Sequence, residues 1–200
     1  MTVVLDRIEM ADSDELSPED TFLDDMFDRL ERLPVPEGYK VEIVEGTVYM
    51  SPQRRTHWRI IFSVARQLDS HFGEAAEIDS DVRIDLPGYR NGFCPDVAKA
   101  VDGAKPDAKG RFDPKDLEFI AEVISKDTKG NDYGPKKQAY AEAGVPVLLI
   151  VDPYEAKCHV HTSPKDGAYH SELITDFGEP IDLTCTPLGL TISTDKFPRD

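Results

Sequence analysis

Val147-Leu148-Leu149-Ile150-Val151 is an unbroken apolar run of strand length, and a strand with no polar face has to be covered on both sides. It belongs in the middle of a layered sheet, not at a solvated edge. The preceding segment fits. Residues from about Gly134 to Glu142 read as a helix that stops at Gly144, placed as a C-terminal cap. Before them, Leu117–Ser125 reads as a second apolar strand. Strand, helix and strand over residues 117–151 predict a parallel pair joined by a right-handed crossover inside a mixed sheet.

The rest of the chain supplies flanking elements. Val41-Glu42-Ile43-Val44, a turn at Glu45-Gly46 and Val48-Tyr49-Met50 read as a hairpin closed by Ser51-Pro52. From His57, the spacing of Ile60, Ile61, Val64, Ala65 and Leu68 predicts a helix ending near Phe72-Gly73. Further strands are expected over Ile78–Leu86 and Asp96–Val101, near Cys158–Thr162 and Tyr169–Ile174, and from Leu183 to Ile192. Residues 102–116 read as a surface loop. The expected fold class is therefore α/β, with a mixed β-sheet flanked by helices.

Ahead of this domain, Ser17-Pro18-Glu19-Asp20 is a helix opening, with an N-cap, a first-turn proline and acids at the positive dipole end. Phe22, Leu23, Met26, Phe27, Leu30 and Leu33 then form an apolar stripe that stops at Pro34-Val35-Pro36-Glu37-Gly38. The division expected is an acidic N-terminal arm over residues 1–34, flexible up to Ser17, and a main domain over residues 35–200. The helix either packs on that domain or docks a partner.

The chemistry-bearing pattern is Pro95-Asp96 opening one strand and Glu122 inside the next. Phe119, Ile120, Ala121, Val123 and Ile124 surround Glu122, and a carboxylate buried there must take up a proton or find a cation. Two such carboxylates at ~5 Å repel by roughly 3 kcal/mol at an effective dielectric of 20. A divalent ion or an inserted lysine reverses that sign. Asp132, Lys136 and Tyr140 recur at four-residue steps on the helix that follows, so they share one face. Lys136 either reaches back to Glu122 or pairs with Asp132 in solvent.

Composition narrows the function. The net charge is −16, whereas a surface that binds nucleic acid broadly is basic. A polyanion is admitted only if positive charge is local or a metal bridges the gap. Residues 1–32 hold eleven acids against three arginines, and the other 168 residues hold 28 acids against 20 bases. Each part thus carries half of the excess, −8. Cys94, Cys158 and Cys185 are scattered and odd in number, which reads as reduced thiols in a cytoplasmic protein. No Cys-x-x-Cys or His-Glu-x-x-His spacing occurs. His159 and His161 share a strand face but lack further ligands for a zinc site. No apolar run is long enough to span a membrane, and the acidic start is unlike a signal peptide.

Taken in order, Val41-Glu42-Ile43-Val44-Glu45-Gly46, Ser51-Pro52 with His57, Pro95-Asp96, Glu122-Val123-Ile124-Ser125, Tyr140-Ala141-Glu142-Ala143-Gly144-Val145-Pro146 and Val151-Asp152-Pro153 resemble the Uma-two family of restriction-endonuclease-like proteins. The likeness runs over roughly residues 38–195. That family is similar to the PD-(D/E)XK nuclease superfamily, so the resemblance implies a restriction-endonuclease-like fold. It also implies that Asp96 and Glu122 ligate Mg²⁺ or Mn²⁺, together with the Val123 carbonyl. Ile124 stands where the superfamily carries lysine; the resemblance moves that role to Lys136, with Lys126 as a second candidate and Glu42 orienting Lys136 or water. His57 is read as a capping residue or a contact to the leaving group.

The expected function is metal-dependent hydrolysis of DNA phosphodiester bonds, by a homodimer if both strands are cut. Two alternatives stand beside it. One is a non-catalytic binding protein on a nuclease-like fold; the other is an interaction protein whose acidic arm mimics nucleic acid or covers the site.

Overall fold

The computed structural model describes residues 3–5, 18–32, 39–52, 54–88, 90–126 and 128–200. Two sheets form its body. The smaller has the order β1-β3-β2-β6-β5, from β1 (Val3–Leu5), β2 (Tyr39–Val44), β3 (Thr47–Pro52), β5 (Ile84–Leu86) and β6 (Asn91–Phe93). The larger has the order β11-β10-β9-β8-β7-β4, from β4 (Ile78–Asp79), β7 (Val97–Ala100), β8 (Leu117–Val123), β9 (Val147–Asp152), β10 (Lys157–Lys165) and β11 (Ala168–Asp176). Two short strands, β12 (Ile181–Asp182) and β13 (Thr191–Ile192), pair antiparallel near the C-terminus.

The expected parallel pair is present. β8 and β9 run parallel from Phe119 opposite Val147 to Val123 opposite Val151, and every residue of β9 is buried. The crossover is helical, as α3 (Lys129–Asn131), a wide π-helical turn (Asp132–Lys136) and α4 (Lys137–Glu142). Gly144 at φ 80° ends it, and the Val145 N–H returns to the Tyr140 carbonyl at 3.1 Å. All other pairings in the larger sheet are antiparallel, so the sheet is mixed and flanked by helices.

Alternation along β8 sets the layers. Phe119, Ala121 and Val123 face α2 (Arg55–Phe72) through Ile60, Ile61, Val64 and Leu68, with Ile181, Leu183 and Ile192 completing that core. Ile120 and Ile124 face Tyr140 and the smaller sheet through Val44, Ile84 and Phe93. Glu122 has their parity, so it points into the seam between the two sheets.

Three expectations change. The strand expected from Leu183 to Ile192 narrows to β13, Thr191–Ile192, which pairs back on β12 across the loop of residues 183–190. The strand expected over Ile78–Leu86 is two strands in different sheets, β4 pairing with β7 and β5 with β6. Asp81 at φ 59° turns the chain between them. The arm expected to be flexible up to Ser17 contributes β1, which pairs with β3 from Val3 opposite Met50 to Leu5 opposite Val48. The Ser17 cap and the Pro34–Gly38 stop lie outside the described residues.

α1 (Pro18–Glu31) packs Leu23, Met26 and Leu30 on Ile43, Val48 and Met50. Asp24 secures it, 2.8 Å from Arg83, 3.0 Å from Arg111 and 2.5 Å from Lys109. Gly92 on β6 lets the helix approach: a Cβ there would sit 2.6 Å from the Phe27 ring. We expect Gly92→Ala to lift α1 and cost roughly 1–3 kcal/mol in urea unfolding, with Phe27→Leu in the same chain restoring part of the loss. A Gly92→Ala protein as stable as wild type would show that the helix does not need this contact.

Candidate active site

The seam collects charge from four elements. Alternation along β2 sends Val41 and Ile43 toward α1 and sends Lys40, Glu42 and Val44 the other way. Asp96 directly precedes β7, Glu122 lies in β8, and Asp132 and Lys136 bound the π-helical turn. Pro135 in that turn has no N–H to give a regular helical ladder. Gly134, at φ −113° and ψ −107°, takes up the departure.

Lys136 Nζ is the hub. It donates to both oxygens of Glu42, at 3.0 and 3.2 Å. It stands 2.8 Å from Glu122 Oε1 and 3.2 Å from Asp132 Oδ1. Tyr140 OH donates to Glu122 Oε1 at 2.6 Å, and the Cys94 N–H donates to Glu42 Oε1 at 3.0 Å. A second cation lies beside this one. Lys40 Nζ donates to Asp96 Oδ1 at 2.7 Å and stands 3.8 Å from Glu122 Oε2 and 3.9 Å from Glu42 Oε1. Asp96 Oδ2 accepts the Val123 N–H at 2.7 Å and faces His57 Nε2 at 3.3 Å.

The sequence-derived set Asp96, Glu122, Lys136 and Glu42 is therefore brought together, with His57 at its rim. Lys136 does pair with Asp132, but at 2% exposure it is no solvated surface lysine. Lys40 was not anticipated. Its signal was strand parity, since Lys40 and Glu42 are two residues apart and share a face.

Burial and neighbouring charge divide the carboxylates. Burial pushes Glu122 up to about 8, against the pull of Lys136 and Lys40. Burial raises Asp132 too, opposed by Lys136. Burial also works against ionised Asp96, but Lys40 and His57 outweigh it and hold that carboxyl well below the usual carboxylate range. Glu42 is likewise lowered by Lys136 and Lys40 in spite of burial. Lys136 is buried as well, yet Glu122, Glu42 and Asp132 keep its ammonium firmly protonated.

Charge and donor chemistry in this seam fit a divalent cation. Four buried carboxylates, Glu42, Asp96, Glu122 and Asp132, face two ammonium groups, so full ionisation leaves two negative charges uncompensated. Carboxylate oxygens are also the hard donors that Mg²⁺ and Mn²⁺ take. Among the described residues, however, no three His, Cys, Asp or Glu side chains are already grouped to hold a metal ion. Lys40 stands between Asp96 and Glu122 instead.

The Uma2 family profile, described as "Putative restriction endonuclease", matches residues 25–195. The chain belongs to the Uma2 family. Solved structures with the same fold include a protein from Anabaena variabilis described as a "putative nuclease belonging to DUF820". It is 15% identical with a TM-score of 0.65, and the match covers 85% of this chain and 95% of that one. No curated protein matches the chain significantly.

Other candidates in this Uma2 chain lie apart. Lys126 is exposed. A cleft of about 770 Å³, lined in part by Glu45, Tyr133, Lys137, His161, Tyr169 and Glu172, includes none of Asp96, Glu122 and Lys136. Cys94, Cys158 and Cys185 are free thiols. His159 and His161 stack at 6.5 Å between centroids, and Glu172 lies 3.1 Å from His159 Nδ1 and 3.7 Å from His161 Nε2.

Burial, aided by the charge of Lys137, holds His161 down to about 4. Unfolded, an imidazole takes its proton near pH 6.5. Its contribution to stability is thus whole above about pH 6.5 and drains as the pH falls toward about 4, where the unfolded chain binds a proton the folded chain refuses. In His161→Gln, the stability lost between about pH 7 and pH 4.5 should shrink by roughly 1–3 kcal/mol in urea titrations. An unchanged loss would mean that His161 titrates normally.

Proposed function

We propose that this chain is a divalent-metal-dependent endonuclease that hydrolyses DNA phosphodiester bonds at the Asp96–Glu122–Lys136 cluster. The observation that carries the reading is the convergence of Glu42, Asp96, Glu122 and Lys136, from two strands, the entry to a third and the helical crossover, on one buried seam. Membership of a family described in endonuclease terms supports it. Asp96 and Glu122 would hold Mg²⁺ or Mn²⁺, joined by the Val123 carbonyl. When bound, such an ion supplies Lewis acidity toward phosphate and lowers the pKa of water.

The protein's own part is positioning. Glu42 and Asp132 fix the Lys136 ammonium from two sides, so it meets growing negative charge on the phosphate without first reorganising. Tyr140 holds one oxygen of Glu122 and leaves the other facing Lys40. The Val123 N–H fixes Asp96 to the end of β8. Lys40 is the looser cation: its one close carboxylate contact is Asp96, whereas Lys136 has carboxylate oxygens of three residues within 3.2 Å. Lys40 would therefore be the group to give way if Asp96 held a metal ion.

The three free thiols suit a reducing cytoplasm, and among the described residues no helix is long and apolar enough to cross a membrane. Cleavage of both strands calls for two copies of the site, so the reading includes a homodimer.

Incubation with plasmid and single-stranded DNA in Mg²⁺ or Mn²⁺ tests this. Asp96→Asn, Glu122→Gln and Lys136→Met should each lower cleavage by ~100-fold or more, with folding checked by circular dichroism. Wild-type protein that cuts no DNA with either metal, or folded variants that cut at the wild-type rate, would sink the assignment.

A further inference from the structure

The net charge of −16 conceals one stretch of opposite character. From Arg54 to Leu68 the chain has four arginines and no acid. This is the residue before α2 and all of α2 but its last four residues, where Asp69 lies, and its core face is Ile60, Ile61, Val64 and Leu68. What remains outside is Arg54, Arg55, Trp58, Arg59, Phe62 and Arg66, all exposed. Arg55, Trp58, Arg59, Phe62 and Arg66 recur at three- and four-residue steps, so they form one stripe. Among the described residues none of these arginines is paired with a carboxylate, whereas Arg83 and Arg111 are each held by two or more.

The two aromatics sharpen the reading. Trp58 is 56% and Phe62 53% exposed, among the few large apolar side chains left in solvent. Their rings lie 6.0 Å apart at a tilt of 33°. Flat apolar rings set among unpaired guanidiniums match the chemistry of single-stranded nucleic acid, in which bases stack on aromatics while phosphates meet arginine. A duplex offers its phosphates but keeps its bases stacked on one another, and so leaves the rings unused. A second copy of this chain would bring arginine against arginine across a two-fold contact.

Location ties the stripe to the proposed site. His57, beside Trp58, faces Asp96 at 3.3 Å. From His57 to Arg66 the helix rises ~14 Å, about four stacked bases at ~3.4 Å each. The first turn of α2 carries no acid of its own and no side-chain cap. The acid that meets it is Asp200, which accepts the Thr56 hydroxyl at 2.6 Å.

We propose that the exposed face of α2 binds single-stranded nucleic acid, bases on Trp58 and Phe62 and phosphates on the arginines, and leads it to the Asp96 cluster. This rests on the nuclease reading for its direction, but binding is measured without hydrolysis. Trp58 is the single tryptophan of the chain, so its fluorescence reports contact directly.

The experiment titrates the full-length protein with oligo-dT of twelve nucleotides in EDTA, following tryptophan quenching and the anisotropy of a labelled strand. We expect quenching on binding. Phe62→Ala and Trp58→Ala should each weaken binding about 5- to 100-fold. Arg55→Gln and Arg59→Gln should each reduce the slope of log affinity against log salt by about 0.7. These are surface changes, and unaltered thermal melts would show that the fold is kept.

Absence of quenching, equal quenching by a duplex of the same length, or wild-type affinity in the aromatic variants would overturn the proposal. So would emission that changes with protein concentration alone, which marks self-association through this face. Binding by α2 without cleavage in Mg²⁺ would uphold this inference and remove the nuclease reading. Cleavage unaffected by the α2 variants would do the reverse.

Discussion

A carboxylate in the middle of a doubly covered strand is the constraint to which the rest of this structure answers. Glu122 lies between buried neighbours on β8 and is 2% exposed, so its ionised form needs a cation brought to it. The crossover helix brings Lys136. Lys136 is buried in turn, and Glu42 from the smaller sheet and Asp132 from its own turn balance it. The seam between the sheets is thus held by charge as well as by Phe93 and Ile120. Removing one member would leave its partner buried and unpaired, a loss that exceeds what the intact pair contributes.

Much of this frame was legible because it depends on local spacing. The apolar run at 147–151 and the Gly144 stop dictated the parallel β8–β9 pair, and Glu122 stood out as the polar residue in an apolar strand. Four-residue steps put Asp132, Lys136 and Tyr140 on one face, which the structure turns toward Glu122. Only the neighbourhood of Lys136 was open, since a solvated lysine has the same spacing. The π-helical turn was not foreseen because it follows from Gly134 and Pro135 adjusting to their packing.

Long-range pairing explains what could not be read. Ile78–Leu86 has the composition of one strand, and only the separate partners of β4 and β5 divide it. Lys40 enters the site because β2 runs beside β6 and its Lys40–Glu42 face meets Asp96, Glu122 and Lys136, none of which its local sequence announces. The arginines of α2 are likewise dispersed among Thr56, His57, Ile60, Ile61 and Ser63. Their common exposure emerges once Ile60, Ile61, Val64 and Leu68 are assigned to the core.

Net charge is a poor guide to partners when the acids and bases are sorted by the fold. α1 carries much of the acidic excess, and it lies on the face of β2 that bears Ile43, opposite the face that bears Lys40 and Glu42. One of its acids, Asp24, is already spent on Arg83, Lys109 and Arg111. That position argues against a helix laid over the site as a nucleic-acid mimic. Screening reinforces the point: at physiological salt a charge is felt over ~8 Å, so a strand lying along α2 meets mainly the arginines it touches. A chain can therefore remain strongly acidic as a whole and still present a polyanion with one short basic path.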